Sequence, residues 1–219
     1  MNKREKTALT LNIIIFILAF IGAIMTFCDI RFVDVKSWET GIKVLKFFTV
    51  QSNLFAGVMA LVYLIYFSRL HKSGKPIPPA INVLKFMATI DLVITFLVVA
   101  LFLGFIVEDG YFTLFVNANF LFHLTIPILN FISFAFFEEV PNFKFKYTFL
   151  GIIHIILYSI FYLIVVLTHF QDGKVDIQYD WYAFAQLGLP MAFVFAVVLL
   201  LLGYFVGFII FKIHKARTE

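Results

Sequence analysis

A single cysteine, Cys28, stands among 219 residues, so the chain can form no internal disulfide and no cysteine-rich metal site. Charge is scarce as well. Asp, Glu, Lys and Arg make up 14% of the residues, against about 25% in a soluble domain, while 63% are apolar. No water-facing surface can be assembled from that composition, which excludes a soluble protein. A P-loop, a dinucleotide fingerprint and a His-x-x-x-His pair are all missing, so no cofactor, metal or nucleic-acid partner is expected. Alternating strands of ~10 residues are missing too, which argues against a membrane barrel.

What is present is apolar length. Six runs, at about 8–28, 46–68, 84–107, 115–137, 147–169 and 182–211, each reach the ~20 residues that a spanning helix needs. The breaks between them carry turn or charge signals, such as SRLHKSGKPIPP and FEEVPNFKFK. The expectation is one all-α domain over 1–219, a six-span transmembrane helical bundle. The first run follows Lys3, Arg4 and Lys6 like a signal peptide but lacks a small-x-small cleavage site, so it reads as a retained helix. With the N-terminus inside, twelve of the 17 Lys and Arg, Lys85 among them, fall on the inner side. Arg31, Lys36, Lys43, Lys46 and Lys174 fall outside. That bias puts both termini in the cytoplasm.

Direction then gives depth. Span 2 opens from outside with Thr49, Ser52 and Asn53, whose i, i+3, i+4 spacing puts them on one helical face. Span 4 brings Asn119 and His123, four apart, to the same outer third, and span 6 brings Gln186 about one turn below Asp180-Trp181. Each residue also has an ordinary structural role open to it. Membrane Thr and Ser bond back to their own carbonyls, and Asn bonds between helices. Trp181 and Tyr182 read as interface anchors. Deeper on the inner side, Asp91 and His154 could pair, as a buttress or as part of a proton path. His169 could join the outer set, and His71 and His214 are expected in solvent.

Acyl transfer needs a nucleophile, a base and donors for the developing oxyanion. Thr49 offers the hydroxyl, His123 the imidazole, and Asn53, Asn119 and Gln186 the amides. A nucleophile–base pair of this kind is expected within about 3–4 Å. At membrane depth it suits a lipid ester better than a water-soluble one.

These stretches also look familiar. KFFTVQSNL, FLFHLTIP and DWYAFAQLG resemble the prokaryotic predicted six-transmembrane family. More distantly they resemble the animal androgen-induced and androgen-dependent membrane hydrolases, over nearly the whole chain in helix number and motif order. The resemblance implies hydrolysis of fatty acid esters of hydroxy fatty acids, with Thr49 as nucleophile and His123 as its partner, in a prokaryotic cell membrane. Two departures stand out. Val-Gln-Ser-Asn after Thr49 follows the prokaryotic pattern, and Pro127 lies one residue closer to the histidine than in the animal enzymes. Two other readings stay open: a small proton-coupled carrier built on Asp91 and His154, and a non-catalytic lipid-binding protein of the same fold. The sequence leaves the oligomeric state open.

Overall fold

A computed structural model describes residues 1–35, 39–107 and 110–218. Lys36, one of the cations counted on the outer side, lies outside the described residues. The regular structure is helical, with six helices long and apolar enough to cross a membrane, the makeup of a multi-pass membrane protein. They are α1 (Lys3–Phe27), α2 (Phe48–Ser73), α3 (Pro79–Leu103), α4 (Asn117–Phe137), α5 (Tyr147–Thr168) and α6 (Leu189–Arg217).

Local chemistry sets the ends. The Asn2 side chain accepts from the Glu5 amide at 2.8 Å, and Glu5 reciprocates at 2.7 Å, a capping box that starts α1 ahead of its apolar run. Gly74, at φ +65°, ends α2 in a left-handed turn that favours glycine. Pro79 sits in the first turn of α3, where its missing N–H costs no hydrogen bond. The largest correction is at α6, expected from 182 but beginning at Leu189. Tyr182 to Gly188 instead form turns, with Ala183 at φ 58° and Gly188 at φ 100°. Gln186 is therefore a loop residue, not one turn into a span.

Six crossings bring both termini to one end, the terminal end. There Arg217 donates to the carbonyls of Ala135 (2.8 Å) and Glu138 (2.6 Å), and Arg4 lies 3.9 Å from Glu139. His214 is buried beside Arg217 rather than solvated. The described loop residues 28–35, 39–47, 104–107, 110–116 and 169–188 lie at the distal end. In the most apolar window of each helix, α3 buries 56% and α6 only 22%. Polar groups on α3 must therefore find partners in the bundle. Lys85, expected among the inner-side cations, is 1% exposed and pairs with Glu138 at 2.9 Å, with Asn12 and Ser133 completing the cluster. Further along α3, Asp91 accepts from His154 Nδ1 at 2.6 Å, so the two deep residues do meet. Near the distal end, a Cβ on Gly22 would stand 2.4 Å from the Phe122 ring. The bare glycine lets α1 press on α4 at the residue before His123.

Candidate functional site

The distal start of α2 is held from several sides. A 3₁₀ turn, Gly41–Lys46, leads through extended Phe47 into α2 at Phe48. The first amides of a helix have no partner within it. Here the Phe48 N–H donates to the Tyr182 hydroxyl at 2.9 Å. The Tyr158 hydroxyl donates to the Lys46 carbonyl at 2.7 Å and accepts from Trp181 Nε1 at 3.0 Å. Lys46 itself meets Glu39 at 2.8 Å and lies over the rings of Phe47 and Trp181. Lys46-Phe47-Phe48-Thr49 and Asp180-Trp181-Tyr182, far apart in the chain, are thus one assembly around Thr49.

Trp181 and Tyr182 are not simple interface anchors. Trp181 is 4% exposed, and Asp180, fully buried, accepts from the hydroxyl of Tyr162 and the amides of Ala185 and Gln186. Burial raises the Tyr182 phenol above its ordinary pKa, opposed by hydrogen bonds with Tyr158, Phe48 and Thr49. It stays protonated and lines the same cavities as Thr49. Glu39, by contrast, is held below its ordinary value by its hydrogen bond with Lys46.

His123 faces this assembly from α4. It lies in a π-helical stretch, Leu121–Thr125, where the Ile126 amide reaches back to the Leu121 carbonyl. Pro127 follows directly and brings no amide of its own; such π segments recur at functional sites. His123 is 6% exposed, and its Nδ1 lies 2.6 Å from the Leu114 carbonyl. A carbonyl only accepts, so Nδ1 carries the hydrogen. In the neutral ring that leaves Nε2 with its lone pair.

Thr49 and His123 line one cavity of about 150 Å³, together with Asn117, Asn119, Tyr182 and Arg31. No hydrogen bond joins the two among the described residues; both border the same space. Asn117, at φ 54°, accepts from the amides of Phe32 and Val33 and donates to the Val33 carbonyl, tying the first loop across this cavity. A second cavity, of about 50 Å³, adjoins it and shares Thr49, Leu103 and Tyr182.

The remaining expected site residues divide. Asn119 lines the larger cavity. Ser52 does not: it is buried, bonding the Thr49 carbonyl and the Thr95 hydroxyl, each at 3.1 Å. Asn53 donates to the carbonyls of Thr49 (2.8 Å) and Phe122 (3.1 Å), tying α2 to α4 without reaching either cavity. Gln186 is exposed and braces Asp180 and the Val175 carbonyl. His169 is exposed and stacks on Tyr179. Tyr182, Tyr158 and the Leu114 carbonyl were not legible as site groups, although DWYAFAQLG already stood out as a motif. Among the described residues no group of three His, Cys, Asp or Glu could hold a metal.

No known family, no curated protein and no solved structure matches this chain.

Proposed function

We propose that the protein is a membrane hydrolase of lipid esters, of the fatty acid ester of hydroxy fatty acid type, acting through an acyl-threonine. One observation carries this reading: Thr49 and His123 line a single cavity, with His123 held through Nδ1 so that Nε2 is the available base.

Thr49 Oγ1 attacks the ester carbonyl carbon while His123 Nε2 takes its proton. The negative charge on the carbonyl oxygen is stabilised by the Tyr182 hydroxyl, which lines the same cavity as Thr49. The intermediate collapses, the alcohol leaves, and it takes the proton from His123. Water then gives a proton to the same nitrogen and attacks the acyl-threonine, releasing the fatty acid and restoring Thr49. The bound ester fills the space between Thr49 and His123; catalytic contacts often tighten only in the complex. Both termini lie in the cytoplasm of a prokaryotic cell membrane on this reading, and the cavity opens near the outer interface.

Labelling of the purified protein with a fluorophosphonate probe tests the proposal. Wild type is expected to label, and Thr49→Ala and His123→Ala are not. Equal labelling of Thr49→Ala, or none of wild type together with no ester turnover, would end it.

A further inference from the structure

We infer that the smaller cavity behind Thr49 is the acyl-chain subsite, and that Ala192 and Ala196 of α6 set its capacity; this rests on the ester hydrolase reading. The two cavities meet at Thr49 and Tyr182 but differ in chemistry. The larger one carries Asp29, Arg31, Glu39 and His123 in its walls, which suits water and the leaving alcohol. The smaller one has no charged wall residue, and α2, α3, α5 and α6 all contribute to it.

Its hydroxyls are largely committed elsewhere. Thr95 bonds Ser52, Tyr158 bonds the Lys46 carbonyl and Tyr162 bonds Asp180. A polar guest would lose water without gaining those partners, whereas an alkyl chain loses nothing. The chamber therefore selects hydrocarbon, and Thr49 at its mouth meets the carbonyl to which that hydrocarbon is attached.

Ala192 and Ala196 are four residues apart and so share one helical face. Both line the chamber, and their short side chains leave it open. An apolar void of ~150 Å³ holds a benzene ring. At about 50 Å³ this one seats only the few carbons next to the ester carbonyl. Longer chains continue along α5 and α6, the two helices with least of their surface buried.

The test is a series of esters of one alcohol with acetyl, hexanoyl and palmitoyl groups, run on purified wild type, Ala196→Phe and the milder Ala192→Val. Filling the chamber is expected to lower the hexanoyl-to-acetyl ratio of kcat/KM by about tenfold or more in Ala196→Phe, and by less in Ala192→Val. Because the readout is a ratio, a fraction of misfolded protein cancels from it. An unchanged ratio in both variants overturns the inference. If wild type cleaves none of the esters, the hydrolase reading fails, and a diazirine-bearing fatty acid decides the subsite separately. Crosslinks to chamber residues of α5 or α6 that Ala196→Phe abolishes would sustain it. Crosslinks elsewhere, or none, would sink it.

Discussion

The Phe48 amide donates to the Tyr182 hydroxyl at 2.9 Å, across 134 residues of sequence. The helix start that presents Thr49 is thereby closed by the loop that precedes α6. Stability and activity should depend on that one oxygen together. Tyr182→Phe is expected to cost about 0.5–1.5 kcal/mol in stability through the lost hydrogen bond. Ester turnover should fall by ~10²-fold if the same hydroxyl serves the oxyanion. Thermal unfolding in detergent and steady-state rates on one sample check both. A stability loss without a rate loss would reduce Tyr182 to a cap.

Thr49 and His123 act on one proton in the proposed reaction. Removing either should therefore cost nearly as much as removing both. Thr49→Ala, His123→Ala and the double variant are expected to show similarly low cleavage of a long-chain lipid ester while retaining the wild-type elution profile. Multiplying losses would mean that the two residues work independently.

Asn53 ties the Phe122 carbonyl to α2 and does not reach the cavity. Asn53→Ala is expected to lower stability by about 1–3 kcal/mol, since a buried carbonyl loses its donor. Turnover at saturating substrate should change less than in Thr49→Ala. A loss of activity equal to that of Thr49→Ala, at unchanged stability, would instead put its amide in the chemistry.

Asp91 and His154 bridge α3 and α5. As a buttress, the pair makes Asp91→Asn less thermally stable, by as much as ~3–5 kcal/mol if breaking it leaves an uncompensated buried partner. Ester cleavage should survive in the folded fraction. A variant of full stability that loses proton-coupled uptake in liposomes would favour a carrier.

Glu39 links pH to the approach to Thr49 through Lys46. Its hydrogen bond with Lys46 holds the carboxyl below the ordinary 4.5. A depressed folded-state value stabilises the protein above the unfolded value, and the contribution is lost as pH falls through the folded value. Wild type should melt above Glu39→Gln at pH 6, by a small margin because the pair is solvent-screened, and that margin should shrink as pH falls from 4.5 toward 3. A constant difference between the two across that range would rule out the linkage.

The six helices were legible because apolar runs of spanning length leave few alternatives. The common level of Thr49, Asn119 and His123 along the bundle was legible too, since all three line the same cavity. Rotation about each helix axis was not. Asn53, one turn after Thr49, faces a carbonyl of α4 instead of the cavity. The π-helical stretch at His123 shifts the helical phase by an amount that regular 3.6-residue counting does not anticipate. The late start of α6 was hidden for another reason. Tyr182 to Gly188 are apolar enough to prolong a span, but the buried Asp180 carboxylate takes the Ala185 amide and Ala183 adopts a left-handed backbone. His214 was misplaced because nearness to a helix end was taken for exposure, whereas the Phe134 ring of α4 and the Glu138 carbonyl just beyond it cover the imidazole.

The pairing of α3 also orders its own birth. This helix carries Lys85 and Asp91, and their partners Glu138 and His154 are both encoded later in the chain. When α3 leaves the ribosome neither counter-group has been made. At a helix centre each unpaired charge opposes insertion by roughly 2.5–3.5 kcal/mol, and less toward the ends. The other residues of α3, helped only by earlier groups such as Asn12 of α1 at Lys85, must carry it into the bilayer, or it must wait beside the translocon until α4 and α5 arrive. Neutralisation is therefore a late event, and a nascent chain halted after α3 holds two charges with no counterpart.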